Sequence, residues 1–355
     1  MGHRSVLLAL LLVPLVLSRC TSTPGTSEGT APAPILDSFA LRLADIDDRL
    51  IKAPDDASLY AERSDLFLLH DSLMPAMNDM VRAVSLDSSN ADYRVKLGEL
   101  FWYSRTVDQA KYQFEKALQH EPRNTAALLR LGEIQLVLRQ YQASMDRLNE
   151  ALRIDSRLAK GYFLKGWVHK ETGDTAKAIS SYFTALEMDP DYFDAVMQLA
   201  LLHERRDDPL AIEFYDTAIR LRPESSEALY GKGMYCQEHG KDSVALQCYA
   251  TIIRNDPNNA LAYYNSGWVR LEHLDDPRMA LADFSAAIEH HPTYHQAFYN
   301  RGLAYERLDV LDSAAMNYQR ALALLPDYDL AANGLQRLAT KGLRIDRPRG
   351  AGAAQ

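Results

Sequence analysis

Few side chains in this sequence are spaced for chemistry. His290, His291 and His295 surround Pro292 and could ligate a metal. Proline breaks a helix between them, however, so His291 and His295 do not share a helical face, and the segment reads as a surface turn. Cys236 and Cys248 allow two readings. They could close a disulfide across a helical hairpin in an oxidising compartment, or they are two small buried hydrophobes. No phosphate-cradling loop, zinc spacing, nucleophile elbow or paired-carboxylate constellation stands in a credible context. A formal charge of −9 over 355 residues gives no attraction for a phosphate backbone. The expectation is a non-enzyme with no cofactor, metal, small-molecule substrate or nucleic acid.

The N-terminus carries an address. His3 and Arg4 precede an apolar run from Val6 to Leu17, too short to span a bilayer and flanked as an export signal is. Leu17-Ser18-Arg19-Cys20 then resembles a bacterial lipobox, with Arg19 standing where that pattern has a small residue. Residues 1–20 are expected to be a signal peptide, followed either by lipidation at Cys20 or by cleavage near Ser22 that releases a soluble exported protein. Residues 21–34, rich in Thr, Ser, Gly, Pro and Ala, read as a disordered tether. The implied location is the periplasm, anchored to the outer membrane if Cys20 is modified.

The rest of the chain repeats. Pro54, Ser88, Pro122, Ser156, Pro190, Pro223, Pro257, Pro292 and Pro326 are separated by 33 to 35 residues. A small-residue row keeps the same phase through Ser64, Gly98, Gly132, Gly166, Ala200, Gly233, Gly267 and Gly302. So does an alanine row through Ala76, Ala110, Ser144, Ala178, Ala211, Ala245, Ala280 and Ala314. Four residues later come Met80, Phe114, Leu148, Tyr182, Tyr215, Tyr249, Phe284 and Tyr318. The reading is a helix-turn-helix unit whose glycine row faces the alanine row, with the large row inserted between neighbouring hairpins. Where it stands in this row, proline ends the second helix, with Ser88 and Ser156 in its place in two repeats.

The segment Ala262-Tyr263-Tyr264-Asn265-Ser266-Gly267-Trp268, followed by Ala280, Phe284, Ala287 and Pro292, resembles a consensus tetratricopeptide repeat. The resemblance implies an all-α, right-handed superhelical solenoid of about eight such repeats over residues 57–328. Their windows are 57–90, 91–124, 125–158, 159–192, 193–225, 226–259, 260–294 and 295–328. Capping helices are expected at 35–56 and 329–342, with a disordered tail at 343–355.

The resemblance also implies a concave groove lined by the first helices. Its expected contact residues are Phe163, Trp167, Met197, Leu201, Tyr230, Met234, Tyr264, Asn265, Trp268, Tyr299, Asn300 and Leu303. Towards the N-terminus Asp65, Glu99 and Glu133 make the same strip acidic. An apolar, aromatic strip on a soluble protein points to a bound peptide or protein. The leading expectation is thus a non-catalytic scaffold or adaptor in the bacterial envelope. The alternative is a periplasmic chaperone or protease-regulating holdase for unfolded chains.

Overall fold

A computed structural model describes residues 38–343; the expectations for 1–20, Cys20, 21–34 and the tail beyond Leu343 lie outside the described residues. The described residues form helices and turns. Helix α1 (Ser38–Lys52) precedes α2 (Ala57–Leu68), α3 (Leu73–Leu86), α4 (Ala91–Tyr103) and α5 (Val107–His120). Next come α6 (Thr125–Val137), α7 (Tyr141–Ile154), α8 (Ala159–Glu171), α9 (Thr175–Met188), α10 (Phe193–Glu204) and α11 (Leu210–Leu221). The series ends with α12 (Ser226–Glu238), α13 (Asp242–Asn255), α14 (Ala260–Glu272), α15 (Pro277–His290), α16 (His295–Arg307), α17 (Leu311–Leu324) and α18 (Asp329–Thr340). Eight antiparallel hairpins, α2 with α3 through α16 with α17, stack in a superhelical row between α1 and α18.

The two helices of a hairpin do different work. First helices are enclosed on several sides, so α6 buries seven residues, while second helices bury a stripe, so α7 buries three. First helices of successive hairpins also touch each other, as α6 with α8, α10 with α12 and α14 with α16 do, whereas no pair of second helices packs comparably. The row therefore curves with its first helices inside.

The large row is fully buried: Met80, Phe114, Leu148, Tyr182, Tyr215, Tyr249, Phe284 and Tyr318 are each 0% exposed. One feature differs from the expected arrangement. The six glycines of this row face the large row, and the backbone oxygens of Ser144 and Ala314 also lie within 3.5 Å of a Cβ built on Gly132 or Gly302. A Cβ built on Gly166 would stand 2.6 Å from the Tyr182 ring, closer than carbon atoms approach. Where serine replaces a small residue, its hydroxyl reaches the opposing backbone: Ser64 Oγ donates to Ala76 O at 2.8 Å, and Ser144 Oγ to Gly132 O at 2.7 Å. In repeat five, where Ala200 fills the row, the Tyr215 ring lies against Gly231 of the next first helix. These rings thus pack both inside a hairpin and between hairpins.

The turns inside the hairpins share one conformation. Asp71, Arg105, Arg139, Gly173, Asp207, Gly240, Asp275 and Asp309 occupy matching places with φ between 47° and 82°. This left-handed position closes each first helix, and in three repeats the helix that follows starts on a side-chain cap or a proline. Asp276 accepts from Met279 N–H with Pro277 at the first helical position, and Asp174 accepts from Lys177 N–H. In repeat five Asp208 accepts from Leu210 N–H, and Pro209 takes the cap position of a helix that begins at Leu210.

Along this edge side chains stitch neighbouring hairpins. Arg307 Nη2 donates to Glu272 at 2.7 Å, and His273 Nδ1 lies 2.5 Å from Asp242. His239 has an acceptor at each ring nitrogen: Tyr235 O is 2.7 Å from Nδ1, and Asp207 Oδ1 is 2.5 Å from Nε2. Only the imidazolium donates to both. The Tyr235 carbonyl and then the Asp207 carboxylate accordingly raise the His239 pKa above its ordinary value. A pKa raised by folding adds stability that is complete below about pH 6.5 and is lost as pH rises through the folded value. The contact is solvated, so the effect is modest.

Two outcomes follow. Tyr249→Ala or Phe284→Ala should each destabilise the array by about 3 to 5 kcal/mol in urea unfolding, because a buried ring leaves a cavity between helices. His239→Gln should flatten the fall in melting temperature between slightly acidic and slightly alkaline pH; an unchanged slope would remove His239 from the titrating groups.

Candidate concave binding groove

The groove is built from the core outward. The ring at the fifth place of a first helix rests on the large-row ring of its own hairpin. Centroid separations are 5.6 Å for Phe163 on Tyr182, 6.4 Å for Tyr230 on Tyr249, 5.9 Å for Tyr264 on Phe284 and 5.6 Å for Tyr299 on Tyr318. In three places a further ring joins from the next hairpin: Tyr192 at 5.2 Å from Phe163, Tyr294 at 4.8 Å from Tyr264, and Tyr328 at 5.6 Å from Tyr299.

Those three tyrosines were not among the expected groove residues. Each stands two places after Pro190, Pro292 or Pro326, where five other repeats carry a helix cap and repeat four carries Leu158, with neither cap nor ring. Asp56, Asn90, Asn124, Ser225 and Asn259 accept there from a backbone N–H of the following helix. Tyr192, Tyr294 and Tyr328 form no such bond. A capping bond is worth about 1 kcal/mol, and at these positions a ring takes its place. The signal was in the sequence as an aromatic residue at a capping position.

The expected strip is less open than the sequence suggests. Met197, Asn265 and Asn300 are buried at 3%, 5% and 6% exposure, because successive first helices press together. Phe163, Trp167, Leu201, Tyr230, Met234, Tyr264, Trp268, Tyr299 and Leu303 are half-buried. Trp167 is held by its Nε1–H, which donates to Glu171 at 3.2 Å, while Trp268 meets His273 edge-on at 4.8 Å. The two asparagines differ. Asn300 Nδ2 donates to the Tyr264 hydroxyl at 2.9 Å, whereas Asn265 Nδ2 is buried with no hydrogen-bond partner.

Nor is the N-terminal part simply acidic. Asp65 is bound by Lys96 at 2.7 Å, Glu99 by Arg130 at 2.7 Å, and Glu133 by Arg130 at 3.0 Å and Lys160 at 2.8 Å. Each carboxylate is met by a cation from the following hairpin or its own, so the strip is a ladder of ion pairs that ends where Trp167 begins the aromatic section.

The other candidates disperse. Cys236 and Cys248 are buried and unbridged. Burial pushes both thiols up, Cys248 to about 11, so the reading as small buried hydrophobes describes them. His290 stacks on Tyr263, His291 on Tyr294 and His295 against Tyr328, each on a different ring. Among the described residues no group of three or more His, Cys, Asp or Glu side chains is placed to hold a metal, and no helix is long and apolar enough to cross a membrane. A hollow of about 680 Å³ lies between α17 and α18, around Met316, Leu322 and Leu335.

The tetratricopeptide repeat sequence pattern matches residues 103–159 in one form, and 163–226, 209–260 and 273–329 in another, together more than half of the chain. Among characterised proteins, anaphase-promoting complex subunit 3 of Schizosaccharomyces pombe is 26% identical over 137 residues, covering 38% of this chain and 21% of its own. The human protein O-mannosyl-transferase TMTC3 is 25% identical over 189 residues, 51% of this chain and 20% of its own. The chain thus spans about a fifth of these relatives' lengths. Among solved structures, the C-terminal part of a repeat-containing protein from Cytophaga hutchinsonii superposes with a TM-score of 0.60 at 16% identity, over 68% of this chain and 99% of the other. The pilF protein of Pseudomonas aeruginosa superposes with a TM-score of 0.51 at 18% identity, over 61% of this chain and 97% of the other. At such identities the structures share the fold alone. The phased rows, the ring-over-glycine hairpins and these matches make the chain a member of the tetratricopeptide repeat family.

Proposed function

We propose that this chain is a non-catalytic scaffold that holds an extended segment of a partner protein in its concave groove, and that it does so in the bacterial cell envelope. Arrays of this family act in general as protein-binding scaffolds. Names such as anaphase-promoting complex subunit 3 and BBSome complex member BBS4 among the relatives fit membership of an assembly. The envelope location rests on the apolar run before Cys20, which would carry a lipid anchor and leave residues 21–34 as a tether.

The observation that carries the groove reading is the exchange of helix caps for tyrosine. Local stability favours Asp, Asn or Ser at those positions, yet Tyr192, Tyr294 and Tyr328 stand there and extend the half-buried aromatic surface. A sequence that departs from a local rule at one surface does so where function is placed. Rigid aromatic side chains bury much area at little entropic cost.

The test pairs stability with affinity. Tyr294→Asn regains a cap as it loses a ring, so its melting temperature should stay close to the wild type. Affinity for the partner recovered from the native envelope should fall by about 2 kcal/mol, roughly thirtyfold. Trp268→Ala should weaken binding comparably. Unaltered affinity of both folded variants would rule out the groove. Suppressed aggregation of unrelated clients, without one stable partner, would favour the holdase alternative.

A further inference from the structure

The second surface worth attention lies on the edge of the array where first and second helices turn. All eight turns need a residue in the left-handed region, and six of them use Asp or Gly, which adopt it readily. Repeats two and three instead place Arg105 at φ 61° and Arg139 at φ 58°. A long cationic side chain gains nothing from this conformation. Backbone strain of this kind collects at functional sites.

Beside each arginine is an open hollow. One, of about 380 Å³, is lined by Trp102, Tyr103, Arg105 and Val107. The other, of about 240 Å³, is lined by Leu136, Val137, Arg139, Tyr141, Trp167 and Glu171. The two have the same construction one repeat apart: the last residues of a first helix, the left-handed arginine and the first residue of the second helix. Neither arginine side chain has a partner among the described residues, unlike Arg130 and Arg307, which bridge neighbouring hairpins. Of the nearby acids, Glu171 accepts from Trp167, and Asp108 sits exposed on the second helix after Arg105. The left-handed position is Asp71 before the pair and Gly173 then Asp207 after it, so a left-handed arginine occurs in these two repeats alone among the described turns.

We propose that this edge, which adjoins the concave groove at Trp167, is a docking site for an extended acidic segment of a partner protein. The segment would place carboxylates on Arg105 and Arg139 and an apolar side chain in each hollow. On a chain of net charge −9, two unpaired guanidinium groups at fixed spacing select for negative charge. Stacked hairpins advance on the order of 10 Å, about one helix diameter. A polyproline-type strand advances about 9 Å in three residues and returns its side chains to the same side. The fitting motif is therefore an apolar residue followed by an acidic one, recurring every three residues.

The experiment measures fluorescence anisotropy of a labelled peptide of Phe-Glu-Gly triplets with the full chain, against a control of Phe-Gln-Gly triplets. The expected result is saturable binding of the acidic peptide that weakens with salt, and little binding of the control. Arg105→Gly combined with Arg139→Gly should lower affinity about tenfold or more while the melting temperature holds or rises, because glycine relieves the left-handed positions. Trp268→Ala, in the groove, should leave this binding unchanged, so the edge site stands or falls apart from the groove. Absence of saturable binding, equal binding of both peptides, wild-type affinity in the double variant, affinity lost in step with melting temperature, or an equal loss in Trp268→Ala would each overturn the proposal.

Discussion

The fold depends above all on one contact, a large side chain, most often a ring, from the second helix of a hairpin lying where a first helix carries a missing or small side chain. The Tyr182 ring occupies the space a Cβ on Gly166 would need, and the Phe114 ring does the same at Gly98. Because the contact is steric, it fixes how closely two helices approach, and repetition at constant spacing turns that local distance into a superhelix. Ala200 shows its tolerance: where the glycine is lost, the Tyr215 ring uses Gly231 of the following hairpin.

The same rings link fold to function. Their far sides support Phe163, Tyr230, Tyr264 and Tyr299, so the groove surface is held by the core that builds the array. Their hydroxyls are handled one by one. Tyr249 donates to Gln237 at 3.0 Å and Tyr318 to Glu306 at 2.7 Å, both acceptors at the end of the first helix, and Tyr215 pairs likewise with Glu204. Tyr182 has Lys170 at that place, and its buried hydroxyl has no hydrogen-bond partner. A rigid groove floor is thus obtained by burying hydroxyls, and repeat four leaves one of them unpaired.

Much of this was legible in the sequence, because a steric requirement repeated in six of eight hairpins leaves a period that single positions cannot hide. The helical hairpins, the buried large row and the caps at Asp174 and Asp276 could be read from residue type and spacing. Three things could not. The partner of the glycine row was placed one turn away, since spacing along a helix does not say which opposing side chain fills a gap. The acidic strip read as open charge, since Lys96 meets Asp65, Arg130 meets Glu99 and Lys160 meets Glu133 across repeat windows, only once the hairpins stack. The left-handed turns were missed because arginine carries no signature of that conformation, whereas the glycine at Gly173 does.

The central claim is that the inside of the curve, and not its outside, is the surface that meets a partner. It is tested most directly by placing a benzophenone photo-crosslinker at Tyr230, in the groove, or at Phe183, exposed on a second helix, in the native host. The account predicts one discrete cross-linked partner from position 230 and none from position 183. Cross-linking to that partner from position 183, with none from position 230, would contradict it.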